Sequence, residues 1–224
     1  MLLLRYKNDS VIECGIDEAG RGSLWGPLYA GAVIWKNESD WDDDIRSLSE
    51  MIKDSKKITK KKRDMIYEGI KKHAKCFGVG VVTAKEIDEM GMTKANKTAF
   101  QRALNSLNII PQRILLDGIL VFETSIELIN QPEMDNTYLS VAAASIIAKV
   151  SRDNHLIEYV NLNKSLSEKY DLENNKGYGT LKHRNGILKH GKDSLHRDLF
   201  LRKLLGNKQS KNTQDTTCAF LDED

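Results

Sequence analysis

The stretch CGIDEAGRGSLWGPLYAG, residues 14–31, joins a short apolar run to two adjacent carboxylates and a glycine-flanked arginine. Because successive side chains of a strand point to opposite faces, we expect the strand to finish near Asp17 and the following loop to turn Glu18 toward the same site. The glycines allow backbone N–H groups to approach a ligand closely, next to the charge of Arg21. The stretch suits a divalent cation beside a phosphate, and a solvated strand end is the alternative that it leaves open.

The composition indicates a chain of one or two domains with a core beneath a highly charged surface. Its 224 residues are 40% hydrophobic and 29% charged, and the net charge of +2 says little about partners. The widely separated Cys14, Cys76 and Cys218 indicate neither a disulfide framework nor a zinc site and suit a reducing compartment. The apolar N-terminal run is too short for a signal peptide, and no stretch approaches the roughly 20 residues of a membrane span. We therefore expect a cytoplasmic protein without a membrane segment.

Hydrophobic periodicity predicts alternating strands and helices along the chain. The predicted strands are 11–17, 28–35, 78–83 and 113–116, with one more within 119–132. One predicted helix begins after Thr59, its N-cap, and others cover 85–107, 140–159 and 181–190. The last predicted helix lies within 194–205. The alanine-rich run at 140–150 is suited to lie close to a sheet, because alanine combines high helix propensity with a small side chain. Residues 207–224 are too polar to pack and are predicted to be a disordered tail.

Carboxylates stand at the ends of several predicted elements. Asp17 and Glu18 end the first strand, Asp117 follows the strand at 113–116, and Asp135 precedes the alanine-rich helix. Carboxylate oxygens are preferred ligands of hard cations such as Mg²⁺ and Mn²⁺. Two such ions about 4 Å apart can activate water and stabilise the leaving oxygen of a phosphodiester. The pattern therefore indicates a two-metal hydrolase site that needs neither histidine nor cysteine.

A strongly basic segment lies between the first strand and the later acids. Residues 53–75 carry ten Lys or Arg against three acids, and the densest cluster is at 56–63. Such a cluster can follow a phosphate backbone, although a basic helix face that only confers solubility is an equal interpretation.

Five segments, in this order, resemble ribonuclease HII, the type 2 ribonuclease H family: GIDEAGRG, DSKKI, LLDG, SVAAASIIAKVSRD and KGYGTLKH, within residues 11–205. The resemblance implies an α/β, ribonuclease H-like fold, in which a mixed central β-sheet is flanked by helices. It implies a catalytic core of residues 1–160 and a C-terminal helical extension of residues 161–206. It also implies hydrolysis of the RNA strand of RNA–DNA hybrids and incision 5′ of ribonucleotides embedded in duplex DNA, leaving 3′-hydroxyl and 5′-phosphate ends.

The resemblance places the catalytic, metal-binding acids of the family, around two ions of Mg²⁺ or Mn²⁺, on Asp17, Glu18, Asp117 and Asp135. The first three lie in matching motifs, whereas Asp135 is placed only by its distance from the alanine-rich helix. The pair at 133–134 departs from the basic-plus-small pair usual in the family, so Glu133 is an alternative ligand.

The resemblance also implies how the sugar is recognised. Gly20, Arg21 and Gly22 match the segment that reads the ribose 2′-hydroxyl, the group that distinguishes the two sugars. Tyr178 matches the tyrosine that stacks on the deoxyribose after the RNA-to-DNA junction and contacts the same hydroxyl.

Contacts to the substrate backbone are implied at further positions. Ser55, Lys56 and Lys57 match the backbone-binding segment of the family. Lys149 and Arg152, one helical turn apart, are expected to face the substrate, and ion pairing on the helix surface is an equal explanation for them.

Some features depart from the family or lie outside its motifs. Ser23 and Trp25 replace a proline and a small residue, and the bulk of Trp25 beside the sugar-reading segment is expected to alter substrate choice.

The histidines outside the acidic pattern are interpreted as surface or phosphate-adjacent residues: His155, His183, His190 and His196. The tail lacks the paired aromatics of a sliding-clamp peptide, so no such partner is predicted.

The expected partner is nucleic acid, as RNA–DNA hybrid or ribonucleotide-containing duplex, and we expect a monomer. Two other function classes remain open. One is a DNA endonuclease of the same fold, against which the segments around Arg21 and Tyr178 argue. The other is a non-catalytic hybrid-binding protein, for which a complete acidic set is a poor design, because it repels a polyanion unless metal neutralises it.

Overall fold

A computed structural model describes residues 2–52, 58–202 and 204–205 of the chain. The strands are β1 (Glu13–Ala19), β2 (Leu28–Ile34), β3 (Cys76–Val82), β4 (Arg113–Asp117) and β5 (Glu127–Gln131). They form one sheet in the order β3-β2-β1-β4-β5, in which β1 is antiparallel to β2 and parallel to β4. β3 extends the antiparallel side and β5 extends the parallel side. The predicted mixed sheet is confirmed.

The first strand is longer than predicted. Its pairing with β2 continues from Asp17 opposite Gly31 to Ala19 opposite Tyr29. The expectation that the strand finishes near Asp17 is therefore wrong, because the antiparallel pairing keeps the backbone extended through Glu18. Adjacent residues of an extended strand point to opposite faces, so these two acids reach any common site from different sides of the sheet.

The helices flank the sheet on both faces. They are α1 (Asp43–Met51), α2 (Lys60–His73), α3 (Ala84–Met90), α4 (Met92–Asn105), α5 (Leu139–Leu162), α6 (Lys164–Tyr170), α7 (Leu172–Asn175) and α8 (Leu181–His190), with short 3-10 helices at Glu38–Asp40 and Met134–Asn136. Thr59 caps α2 as predicted, since its hydroxyl accepts a hydrogen bond from the Lys62 N–H at 3.4 Å. The helix predicted over 85–107 is two helices, because Gly91 between them has a φ of 79°, outside the helical region.

The alanine-rich part of α5 packs directly on β1 and β2. A Cβ added to Gly15 would lie 2.2 Å from the carbonyl carbon of Ser140, and one added to Gly31 would lie 2.3 Å from the carbonyl oxygen of Ala144. These distances are well inside van der Waals contact, so strand glycines and small helix residues are what permit the approach. The face of β1 that bears Gly15 also bears Asp17, which is how the helix comes to lie beside that acid.

Helices α6, α7 and α8 follow α5 in the C-terminal part of the described chain, which is helical again at 198–202. They share a buried cluster with Trp25 of the loop after β1 and with Leu156 of α5. The boundary predicted at residue 160 falls inside α5, which ends at Leu162. The tail at 207–224 lies outside the described residues. The predictions that it is disordered and that it carries no sliding-clamp peptide therefore stay predictions. In the described ranges, the helices are too short or too polar to cross a membrane.

Candidate active site

Three carboxylates meet at the carboxyl ends of the parallel strands. Ile16 pairs with Leu116 in the parallel register of β1 and β4, which brings Asp17 and Asp117 to the next position of each strand. Asp135 joins them from the 3-10 helix that follows β5. One carboxylate oxygen from each of the three acids lies within 4.8 Å of the other two. The sheet register therefore assembles a compact set of oxygen ligands.

Backbone hydrogen bonds hold the acids in place. Asp117 accepts a hydrogen bond from the Met134 N–H at 2.8 Å, which ties the segment after β5 to the end of β4. Glu133 has a φ of 64°, and this left-handed residue turns the chain so that the next residues fold back onto the strand ends. The direct consequence is that Asp135 comes into the cluster although it is 18 residues from Asp117 along the chain.

The electrostatics of the cluster favour a cation. Burial raises the pKa of Asp17 well above its usual range, and the neighbouring charges of Glu18 and Asp117 raise it further. Hydrogen bonds to Asp17 from the Glu18 N–H, at 2.7 Å, and from Ser145 act in the opposite direction. Buried like charges at this separation are unfavourable unless a counter-charge compensates them. A hard divalent cation fits the all-oxygen donor set, and Asp17, Asp117 and Asp135 are the residues that would hold it.

Glu18 lies beside this cluster rather than within it. Its side chain is on the opposite face of β1 from Asp17, and Arg21 approaches it to 3.8 Å. It nevertheless lines the same cavity as Asp17 and Asp117. The structure therefore brings three of the predicted metal-binding acids together and places the fourth at the wall of the site.

Part of the predicted substrate-binding set, Gly20–Gly22, Lys149 and Tyr178, lines one cavity with Asp17 and Asp117. The cavity has a volume of about 360 Å³ and opens to solvent. Its lining combines acids, basic side chains and exposed backbone, and consists of Asp17, Glu18, Ala19, Gly20, Arg21, Gly22, Arg63, Asp117, Ser145, Lys149 and Tyr178. Such a mixture suits a nucleic acid, whose phosphates need cations and whose sugars offer hydroxyl groups. Ser55, Lys56 and Lys57 lie outside the described residues.

Tyr178 and Lys149 form one wall of the cavity. The ring of Tyr178 is 37% exposed, and the Nζ of Lys149 lies 5.7 Å from its centroid. Lys149 also forms an ion pair with Asp153 at 2.9 Å. Both explanations offered for Lys149, helix-surface ion pairing and a place at the site, therefore match its surroundings.

Arg152 does not reach the cavity surface. It is 1% exposed, and its guanidinium donates hydrogen bonds to the carbonyls of Pro27 at 3.0 Å and Lys176 at 2.9 Å and to the hydroxyl of Ser23 at 2.9 Å. The expectation that Arg152 contacts substrate is wrong for this buried side chain. Its bonds instead connect α5 to the loop after β1 and to the loop that carries Tyr178.

Trp25 and two of the histidines are also buried, contrary to the sequence-based expectation. Trp25 is 0% exposed, and its indole N–H donates to Asp193 at 3.0 Å, so its bulk packs against the C-terminal helices and not against substrate. His183 and His196 are buried with their Nε2 atoms 3.0 Å apart. The interpretation of these two histidines as surface or phosphate-adjacent is therefore wrong, whereas His155 and His190 are exposed.

Two cavity residues were not assigned from the sequence with a specific role. Ser145 lies in the alanine-rich run, and it donates a hydrogen bond to Asp17. Arg63 belongs to the basic cluster at 56–63 and enters the cavity from α2. A polar residue within an otherwise apolar helix face was the available signal for Ser145.

A second cavity lies at the opposite end of the sheet. Its volume is about 270 Å³, and Arg5, Lys36 and Lys75 are among its lining residues. The carboxylate that lines it, Glu13, is paired with Arg113 at 2.6 Å. This cavity lacks the compact set of acids, so the chemistry is assigned to the first cavity.

Comparisons with known proteins find similar sequences and structures. A family model described as Ribonuclease HII matches residues 14–203. Proteins named Ribonuclease HII from Clostridium beijerinckii and Bacteroides thetaiotaomicron are 43% identical over 191 residues and 41% identical over 209 residues. These matches cover 85% and 93% of this chain, and 68% and 98% of the respective relatives. The crystal structure of ribonuclease H2 from Pyrococcus horikoshii OT3 matches with a TM-score of 0.67 at 29% identity, covering 88% of this chain and 98% of that one.

Proposed function

Because the chain belongs to the ribonuclease HII family, whose members cleave RNA in RNA–DNA hybrids, we propose that it also incises duplex DNA 5′ of single embedded ribonucleotides. Its fold is ribonuclease H-like and its activity is that of a ribonuclease H. The observation that carries the proposal is the single cavity in which Asp17 and Asp117, two members of the three-carboxylate cluster, meet the Gly20–Gly22 loop and Tyr178. Hydrolysis would leave 3′-hydroxyl and 5′-phosphate ends.

The carboxylates would hold two divalent ions, Mg²⁺ or Mn²⁺. Asp17, Asp117 and Asp135 offer the compact oxygen set, and Glu18 would complete it from the other face of β1. When bound, such ions activate a water molecule and stabilise the leaving oxygen. Burial and the adjacent acids raise the pKa of Asp17, and a divalent cation at this position would compensate its negative charge.

Substrate selection would rest on the Gly20–Gly22 loop and on Tyr178, which line the same cavity. Backbone groups of Gly20–Gly22 would bind the 2′-hydroxyl, because that hydroxyl is the local difference between ribose and deoxyribose. The partly exposed ring of Tyr178 would stack on the following sugar, and Lys149 would contact the phosphate backbone. These three contacts together would place the phosphate 5′ of the ribonucleotide over the carboxylates.

The test is an incubation of a duplex that carries one ribonucleotide with Mg²⁺, with Mn²⁺ and with EDTA. Cleavage on the 5′ side of the ribonucleotide in either metal, with 3′-hydroxyl and 5′-phosphate ends and none in EDTA, is the expected result. A matched all-DNA duplex is the control. Equal cleavage of that control would favour a DNA endonuclease, and tight binding without cleavage in either metal would favour a hybrid-binding protein.

A further inference from the structure

Arg197, which lies outside the cavity, contacts the loop that lines it. We propose that Arg197 is a positioning residue that aims the backbone N–H groups of Arg21 and Gly22 into the active-site cavity. The inference rests on the proposed function, because it concerns how the sugar-reading loop is held. Arg197 is 0% exposed and comes from the segment after α8, far along the chain from the loop.

The guanidinium of Arg197 binds the inner side of the loop. Its Nη1 donates hydrogen bonds to the carbonyl oxygens of Gly20 at 2.7 Å and Arg21 at 3.1 Å, and its Nε donates to the carbonyl of Gly26 at 2.8 Å. The hydroxyl of Ser23 reinforces the first of these by donating to the Gly20 carbonyl at 3.0 Å. Two successive peptide groups are thus held by one side chain.

The planarity of the peptide bond converts these contacts into an orientation of the N–H groups. The Gly20 carbonyl shares a peptide group with the Arg21 N–H, and the Arg21 carbonyl shares one with the Gly22 N–H. In a trans peptide the C=O and N–H bonds point in opposite directions, and the described chain contains no cis peptide. With both carbonyls directed inward to Arg197, both N–H groups point away from it, toward the cavity that the loop lines.

The two N–H groups are available to a ligand. Within the described ranges, neither the Arg21 nor the Gly22 backbone N–H donates a hydrogen bond to another residue. A pair of successive backbone donors is a recognised way to bind an anionic or hydroxyl oxygen. The ligand class is therefore the oxygen atoms of the ribose and phosphate at the junction, which deepens the assignment of the loop.

An arginine is an unfavourable choice for filling space at this position. Burying a cation is costly unless hydrogen bonds compensate it, and here the acceptors are backbone carbonyls. Burial lowers the pKa of Arg197 to about 9, which still leaves it protonated at neutral pH. The forked guanidinium can bond several carbonyls at fixed angles, whereas the single ammonium of lysine cannot match that geometry. A buried arginine at this position is explained if its hydrogen bonds hold the loop rigid, with the Arg21 and Gly22 N–H groups directed into the cavity.

The catalytic core holds the segment around Arg197 in turn. The Arg197 N–H donates to the Leu24 carbonyl at 2.8 Å, so the backbone is fixed against the same loop. Asp88 of α3 accepts hydrogen bonds from the next two N–H groups, those of Asp198 at 2.9 Å and Leu199 at 2.8 Å. The loop therefore receives its orientation from residues that are themselves tied to the catalytic core.

The activity test compares Arg197→Met and Arg197→Lys with Arg184→Met, which removes an exposed arginine of α8. On a duplex with one ribonucleotide, we expect Arg197→Met to lower kcat about 10²-fold, the usual effect of losing positioned donors, with a smaller change in KM. Arg197→Lys is expected to recover little, and the control to stay within about 2-fold of wild type, as surface substitutions usually do. Activity of Arg197→Met equal to that of the control would overturn the inference.

A spectroscopic measurement keeps the inference testable if an Arg197 variant does not fold. In ¹⁵N-labelled protein carrying Asp117→Asn, the amide signals of Arg21 and Gly22 are expected to shift on addition of the ribonucleotide duplex, more than with an all-DNA duplex. Equal shifts with both duplexes, or none, would overturn the inference. If the wild type fails to cleave the ribonucleotide duplex while these shifts occur, the proposed function fails, whereas the inferred exposure of the two N–H groups to the ligand is supported and the role of Arg197 is decided by its variants.

Discussion

The two walls of the active-site cavity are held by different kinds of structure. The carboxylate wall is set by the sheet, since the parallel register of β1 and β4 places Asp17 beside Asp117. The substrate wall consists of loops that are fixed by side chains from distant parts of the chain, chiefly Arg152 and Arg197. A sheet register tolerates side-chain changes, whereas a loop held by a few buried hydrogen bonds depends on each of them. Substitutions on the two walls should therefore fail in different ways.

The largest effect is expected on the carboxylate wall. Asp117→Asn removes one anionic ligand from the cluster without changing the shape of the side chain. We expect cleavage to fall at least about 10³-fold, which corresponds to about 4 kcal/mol of transition-state stabilisation, with binding of an RNA–DNA hybrid retained. Single-turnover cleavage and a binding assay on the same preparation measure the two quantities. Asp40→Asn, at an exposed acid, is the matched control, and unchanged turnover of Asp117→Asn would refute the metal assignment.

The next largest effect is expected on stability, when two glycines of the substrate wall are replaced by alanine. Gly20 has a φ of 89°, and a Cβ there would lie 2.0 Å from Nε of Arg152, whereas a Cβ at Gly22 meets nothing within 4 Å. Gly20→Ala is therefore expected to lower the free energy of unfolding by about 1–3 kcal/mol, and Gly22→Ala to change it by less than about 0.5 kcal/mol. Urea denaturation of both variants measures this difference. Equal stabilities would show that the loop is not held by Arg152 as described.

A smaller effect is expected at the ring of Tyr178. Tyr178→Ala should lower kcat/KM on a single embedded ribonucleotide by about 10- to 100-fold, the range expected for loss of one stacking contact. Its partly exposed ring adds little to stability, so the melting temperature should hardly change. Tyr178→Phe separates the ring from the hydroxyl. Full activity of Tyr178→Ala on this substrate would remove the assigned role of the tyrosine.

The smallest effect at neutral pH is expected from the buried pair His183 and His196, which lies beneath the loop that carries Tyr178. Its effect on the free energy of unfolding grows as the pH falls. The Asp193 N–H donates to Nδ1 of His196 at 2.8 Å, so the neutral ring carries its proton on Nε2 and donates it to His183. The Nδ1 of His183 then donates to the Tyr178 carbonyl at 2.9 Å. The chain of hydrogen bonds therefore requires both rings to be neutral.

Burial lowers the pKa of both rings, that of His196 to about 4. The unfolded chain binds the proton first as the pH falls below the usual histidine pKa, so the free energy of unfolding decreases between about pH 6.5 and pH 4. For His196 alone, a loss of about 2 kcal/mol is expected from pH 7 to pH 5. Thermal melts of wild type and His196→Asn across this range test it, with the exposed His190→Gln as control. The same pH dependence in all three proteins would contradict the assignment.

Sequence and structure agree best where local pattern decides the outcome. The apolar runs ending in carboxylates at Asp17 and Asp117, and the alanine-rich run of α5, were recognisable because strands and helices impose fixed periods on hydrophobic residues. The family resemblance implied a mixed sheet, whereas the parallel pairing of β1 and β4 that brings the acids together is known only from the structure. The helix predicted over 85–107 is an exception, because Gly91, a single glycine at a positive φ, divides it into two helices.

The chain by itself determined the element types, the acids at their ends and the glycine-flanked Arg21, because each depends on neighbouring residues. Tertiary structure decided which polar residues face the cavity and which lie beneath it. Arg152, Arg197 and the histidine pair look like surface residues in the sequence, where charge usually means exposure. The two arginines are buried because loops from distant parts of the chain expose inward carbonyl groups that long, multi-donor side chains can satisfy. The histidine pair is buried because its hydrogen bonds link the backbone N–H of Asp193 to the carbonyl of Tyr178. That requirement arises only after the loops meet, so no local pattern contains it.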